Sequence, residues 1–144
     1  MVCLGNICRS PLAEGILQSK VNSNVFVDSA GTASYHIGKS PDYRSVGVAK
    51  KHSISIENQR CKHFTSTFFD AYDYIYVMDL ANYKDVIALA RTQKDKQKVR
   101  LILNELHPNQ NLEVPDPYYG NEADFEHVFE LLDKACDVIS KKIK

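Results

Sequence analysis

The 144-residue chain has no excess charge of either sign, since 18 Lys and Arg balance 18 Asp and Glu. A basic surface for nucleic acid or an anionic membrane is therefore not expected. Apolar runs near the roughly 20 residues of a membrane-spanning helix are missing. So is a basic stretch followed by an apolar one at the start, which leaves no visible secretory leader and makes a cytoplasmic protein the expectation. Repeats, low-complexity tracts and Gly/Ser-rich linkers are absent as well. That points to one domain over 1–144, long enough to bury an adequate core.

Cysteine is also scarce, at four positions: Cys3, Cys8, Cys61 and Cys136. A disulfide framework is not expected in a chain of this size with no visible leader. No second Cys or His pair follows Cys3 and Cys8 at zinc-ligand spacing, so no metal site and no cofactor are expected. Cys61 and Cys136 read as small buried hydrophobes. The histidines at 36, 52, 63, 107 and 127 read as surface or capping residues.

What is present alternates between two periods. Leu12, Ala13, Ile16, Leu17 and Val21 recur at helical spacing after Ser10 and Pro11, with Ser10 a candidate cap. VFVDS (25–29), YDYIYVMD (72–79) and VRLIL (99–103) read as strands, and 42–51 and 81–91 as helices. The loop 107–121 holds three prolines and a glycine. Phe125, Val128, Phe129, Leu132, Cys136, Ile139 and Ile143 mark one face of a long last helix. Strands alternating with helices predict an α/β fold with a parallel sheet. Only Met1 and Val2 precede Cys3, whereas strands usually run about five or six residues, so the first strand is expected to be truncated.

The chemistry concentrates in CLGNICRS, Cys3 to Ser10. A loop between a strand and a helix can turn successive backbone N–H groups inward into an anion nest, reinforced by the helix N-terminus. Gly5 permits the tight turn. Arg9 carries a planar fork of donors that matches two phosphate oxygens. Cys3 would lie at the base of the nest, where a cradle of donors favours a thiolate, and Ser10 can donate its hydroxyl to that sulfur. This set suits phosphoryl transfer through a cysteinyl phosphate. The leaving group then needs a positioned acid. VPDPYYGN supplies Asp116, held between Pro115 and Pro117, with Tyr118 and Tyr119 suited to walling an aromatic substrate.

CLGNICRSP at 3–11, DSAGT at 28–32, YDYIYVMD at 72–79 and VPDPYYGN at 114–121 together resemble a low-molecular-weight protein tyrosine phosphatase over essentially the whole chain. The resemblance implies a four-stranded parallel sheet flanked by helices. It implies Cys3 as nucleophile and Arg9 as oxyanion clamp, with backbone N–H groups from Leu4, Gly5, Asn6, Ile7 and Cys8. It makes Asp116 the general acid and then the general base. Asn6 would brace the loop through Ser10 and Ser29, and Tyr35, Tyr118 and Tyr119 would line the pocket mouth. Cys8 would be a second thiol able to form a protective disulfide with Cys3. A histidine that helps the loop network in the family aligns with Gln59 here. Rim residues Tyr35, His36, Asp42, Tyr43 and Tyr119 are expected to set substrate preference.

Phosphotyrosine in a protein substrate is the expected target, with the chain acting as a monomer or weak dimer. Ile7 favours a flat phenyl ring over phosphoarginine, because arginine-directed relatives carry Thr at that position. Arsenate reduction on a related fold would need two relay cysteines, and none lies between Cys61 and Cys136. A phosphate-binding module without turnover is the reading from another class.

Overall fold

The computed structural model of the chain describes residues 1–143. Four short strands form one all-parallel sheet: β1 (Val2–Cys3), β2 (Ala30–Gly31), β3 (Ile75–Val77) and β4 (Val99–Leu101), in the order β2-β1-β3-β4. Val2 stands opposite Ala30 on one side and Val77 on the other, which puts β1 at the centre. The helices are α1 (Arg9–Lys20), α2 (Tyr43–Lys51), α3 (Phe68–Ala71), α4 (Leu80–Ala88), α5 (Gln93–Gln97) and α6 (Glu122–Lys142), with a 3-10 turn at Ile102–Glu105.

The pleat divides the core in two. Cys3 and Tyr76 face a layer built from α1, α2 and α6, where Leu12, Ile16, Phe125, Phe129 and Leu132 are buried. Val2, Ile75 and Val77 point the other way, onto Phe64, Phe69 and Val86. Successive residues on opposite faces are what a strand dictates, and both faces are covered as a parallel sheet requires. The last helix starts on a capping box in which Asn121 and Asp124 exchange backbone hydrogen bonds. Phe125, Val128, Phe129, Leu132, Cys136 and Ile139 form its buried stripe. No helix among the described residues is long and apolar enough to cross a membrane.

Several elements are shorter than the sequence predicts. The stretch 25–29 is irregular, and pairing begins only at Ala30. Its backbone is served locally: the Val27 N–H donates to Gln18 Oε1 (3.1 Å) and the Val25 N–H to Asn22 O (3.1 Å). The strand predicted over 72–79 contracts to Ile75–Val77, and 99–103 divides into β4 and the 3-10 turn. Ser10 does not cap α1. The helix begins at Arg9 after Cys8, without a side-chain cap, and the Ser10 hydroxyl turns toward Cys3. The first strand is as short as expected. A cavity of about 350 Å³ lies at the N-terminal ends of the strands, lined by Met1, Val25, Phe26, Phe68, Tyr72 and Tyr74 among others.

Candidate active site

β1 delivers Cys3 to the C-terminal edge of the sheet, and the chain turns through residues 4–8 into α1. The turn is tight because Gly31 on the neighbouring strand has no side chain. A Cβ there would stand 2.8 Å from Leu4 O and 3.1 Å from Asn6 N. Asn6 adopts φ +57, a left-handed conformation that a non-glycine residue holds only when its surroundings impose it.

Those surroundings are identifiable. Asn6 Nδ2 donates to Ser10 Oγ (2.8 Å) and Ser29 Oγ (3.0 Å), and Asn6 Oδ1 accepts from the Lys62 N–H (2.9 Å). The Cys61 thiol donates to Asn6 O (2.8 Å), and Ser29 Oγ donates to Glu14 Oε1 (2.7 Å). The bracing of Asn6 by Ser10 and Ser29 is thus in place. Glu14, Cys61 and Lys62 complete it, and none of them was singled out from the sequence as a site residue.

The network also orients a proton. Ser10 Oγ accepts from Asn6 and lies 3.1 Å from Cys3 Sγ, so its own hydrogen is free to point at the sulfur. Asn6 N–H donates to the same sulfur at 3.3 Å. The sulfur therefore faces into the loop. Among the described residues, no acceptor takes the N–H groups of Leu4, Gly5, Ile7 or Cys8. A run of unpaired main-chain donors in the turn that follows the sulfur has the make-up of an anion nest.

Arg9 follows the nest directly, as the first residue of α1. The residue is buried, with Nη1 donating to Asp79 Oδ2 (2.7 Å) and Val114 O (3.0 Å). Its Nη2 lies 3.7 Å from Asp116 Oδ2. Burial works against the charge on Arg9, but Cys3, Asp79 and Asp116 outweigh it and hold the guanidinium protonated. Asp79 does double duty, since its Oδ1 caps α4 by accepting from the Asn82 N–H (2.8 Å). The sequence signal that could have found Asp79 is its place at the C-terminal end of a parallel strand, where sites in open α/β sheets assemble.

Asp116 sits in a loop tied to the sheet by Val114, whose N–H donates to Met78 O (2.9 Å). The Asp116 carboxylate accepts from the Tyr118 N–H (3.1 Å). Tyr118 and Tyr119 meet edge to face with ring centroids 4.9 Å apart, and Tyr119 is 96% exposed. Tyr35 is exposed and sets its ring edge-on to His36, and no ring contact joins it to Tyr118 or Tyr119 among the described residues. Ile7 is half-buried in the loop.

Two expectations are corrected. Gln59 takes no part in the Asn6 network, because its Nε2 donates to Pro11 O (3.0 Å), on α1. Asp42 is not a free rim residue. Its carboxylate is occupied by Arg44 and the first turn of α2. Among the described residues, no group of three or more His, Cys, Asp or Glu side chains is placed to hold a metal ion.

A cysteine sulfur under a main-chain anion nest, with an arginine and an aspartate at its rim on a parallel α/β sheet, defines a cysteine-dependent phosphatase type of site. Comparison with known proteins narrows the class. The family description "Low molecular weight phosphotyrosine protein phosphatase" matches residues 1–144. The chain is 42% identical over 147 residues to the low molecular weight phosphotyrosine protein phosphatase of Gallus gallus, covering 98% of this chain and 92% of that one. The Homo sapiens protein of the same name is 38% identical, with the same coverage. Among solved structures, the protein tyrosine phosphatase of Entamoeba histolytica with Hepes in its active site superposes with a TM-score of 0.91 at 35% identity, covering 99% of this chain and 93% of that one. Vibrio vulnificus Wzb in complex with benzylphosphonate gives 0.89 at 33% identity, covering 99% and 95%. The chain belongs to the low molecular weight phosphotyrosine protein phosphatase family.

Proposed function

We propose that this chain hydrolyses phosphotyrosine in protein substrates, as a single cytoplasmic domain over 1–144 that needs no metal or cofactor and acts as a monomer or weak dimer. The phosphate would sit in the N–H groups of residues 4–8, with its charge met by Arg9. Cys3 Sγ attacks phosphorus as the bond to the phenolic oxygen breaks, and Asp116 gives that oxygen its proton. Water then attacks the cysteinyl phosphate, Asp116 takes the proton of the water, and the sulfur leaves as a thiolate toward which Ser10 points its hydrogen. Donors already aimed where charge develops reorganise little during the reaction. Tyr118 and Tyr119 supply aromatic surface for the phenyl ring, and half-buried, apolar Ile7 favours it over a guanidinium.

The observation that carries this reading is Cys3 Sγ bonded by both Asn6 N–H and Ser10 Oγ in the loop that leads into Arg9. Turnover of p-nitrophenyl phosphate by Cys3→Ser and Asp116→Ala is the test. Cys3→Ser should abolish hydrolysis while still binding phosphate, and Asp116→Ala should cost roughly 10² to 10⁴ in rate on phenyl phosphate. Near-normal activity in Cys3→Ser would sink the mechanism.

A further inference from the structure

Two loops must keep a fixed relation for such a site to work: residues 4–8, which hold the phosphate, and residues 114–121, which carry the acid. One arginine outside both loops spans them. Asp42, at the N-cap of α2, donates its N–H to Ile7 O (2.8 Å), and Ser45 one turn on donates its hydroxyl to Cys8 O (3.2 Å). Asp42 also grips Arg44. Its Oδ1 accepts from the Arg44 N–H (2.9 Å) and Nε (3.0 Å), and its Oδ2 accepts from Nη2 (3.0 Å). The far side of the same guanidinium reaches the acid loop, with Nη2 donating to Tyr118 O (2.9 Å) and Nη1 to Gly120 O (3.5 Å). Its plane rests against aromatic rings, 4.5 Å from the Phe125 centroid and 5.6 Å from that of Tyr118.

The residue whose carbonyl Arg44 holds is the one whose N–H orients Asp116. Tyr118 is fixed by its C=O to Arg44, and its N–H donates to Asp116 Oδ1 (3.1 Å). We infer that Arg44, braced by Asp42, is a positioning residue that sets the Asp116 carboxyl against the phosphate loop and so governs protonation of the leaving group. The inference rests on the acid role proposed above. A planar fork is needed because four acceptor oxygens lie around one guanidinium, and a lysine reaches only one or two of them. Burial works against the Asp42 charge, but hydrogen bonds from the Arg44 side chain and backbone prevail and hold its carboxyl below the usual range, so the clamp is charged at neutral pH.

The experiment compares kcat/KM of wild type, Arg44→Gln, Arg44→Lys, Asp116→Asn and the double variant Arg44→Gln/Asp116→Asn on aryl phosphates of graded leaving-group pKa. Arg44→Gln should lose about tenfold to a hundredfold on phenyl phosphate, the cost of a misplaced group, and much less on dinitrophenyl phosphate, which leaves without a proton. Arg44→Lys should not rescue. In the Asp116→Asn background Arg44→Gln should add less than about twofold, because the two residues act through one step. Equal losses across leaving groups, or full additivity in the double variant, overturn the inference and leave Arg44 a merely structural residue. A leaving-group dependence unchanged in Asp116→Asn overturns the acid reading itself, a distinguishable result. Should Arg44→Gln not fold, Arg44→Lys carries the same comparison.

Discussion

Cys3 and Cys8 share one loop, yet their surroundings assign them different chemistry. Cys3 Sγ receives two hydrogen bonds within a nest of donors. Burial pushes the Cys8 thiol up to about 12, reinforced by the negative charges of Asp42 and Asp116, and the Ser45 hydroxyl offsets this only in part. The disulfide expected from the resemblance would form, once peroxide has converted Cys3 to a sulfenic acid, by attack of the Cys8 thiolate on that sulfur with loss of hydroxide. Thiolate, not thiol, is the attacking form. Because the Cys8 value lies far above neutrality, its thiolate fraction grows about tenfold per pH unit from pH 7 to 9. Disulfide formation after a peroxide pulse should rise by that factor, read by mass spectrometry of trapped thiols. A flat profile would mean that Cys8 is not the resolving residue. The pairing of Asn6 with Ser10, both within CLGNICRS, came from the family resemblance rather than from the residues themselves. Asp79 was not legible, because it stands 70 positions from the arginine it holds, and its place at the end of a predicted strand marks a site region without naming that partner.

Elements meet at this site through close backbone approach, which local pattern reveals poorly. Gly31 occupies β2 at the point where the loop after β1 passes, and an added Cβ would press on Leu4 O at 2.8 Å. Backbone on both sides cannot yield as a flexible side chain would, so Gly31→Ala should destabilise by roughly 1–3 kcal/mol. It should also weaken inhibition by phosphate, since Leu4 and Asn6 must move. Gly47 in α2 is the control. A Cβ there meets nothing within 4 Å, so Gly47→Ala should be neutral or stabilise by about 0.4–1 kcal/mol with phosphate inhibition unchanged. Thermal melts and phosphate inhibition constants of the two variants check both expectations, and equal behaviour would refute the account. The four longer helices were read closely because their buried faces repeat over two to six turns, as α6 does from Phe125 to Ile139. The four-residue α3 and five-residue α5 are too short to show a period and were not read. The strands were overestimated because apolar alternation continues where ladder partners end. Val25 and Val27 alternate as a strand should, but their N–H groups go to Asn22 and Gln18.

At the scale of the molecule, the C-terminal edge of the sheet gathers Cys3, Gly31 and Asp79, and DSAGT links that edge to a charge network beneath it. Asp28 Oδ1 accepts from Lys62 Nζ (2.6 Å) and its Oδ2 from the Tyr72 hydroxyl (2.6 Å), while the Lys62 N–H holds Asn6. This strand order and these long-range pairs were invisible in the sequence, which reports neighbours along the chain and not across it. They also set how stability depends on pH. Burial opposes the charge on Asp28, but hydrogen bonds from Lys62, Tyr72 and the Ser29 N–H prevail and lower its pKa, as Arg44 does for Asp42. A carboxyl whose folded pKa lies below its unfolded value of about 3.9 adds stability that is fully present above that value and lost as pH falls through the folded one. Glu14 has the opposite sign. Burial raises its pKa, so its contribution is full below about 4.5 and declines as pH rises through the folded value. Asp70, Asp95 and Glu122 are lowered as well by their basic partners. Five lowered carboxyls against one raised predict a urea midpoint that falls as pH drops from about 5 to 3, part of which Asp28→Asn should flatten. Because Lys62 joins Asp28 to the Asn6 brace, phosphate at saturating concentration should move the acid midpoint of the wild type to lower pH. A midpoint indifferent to phosphate would mean that the network under the loop and the loop itself unfold independently.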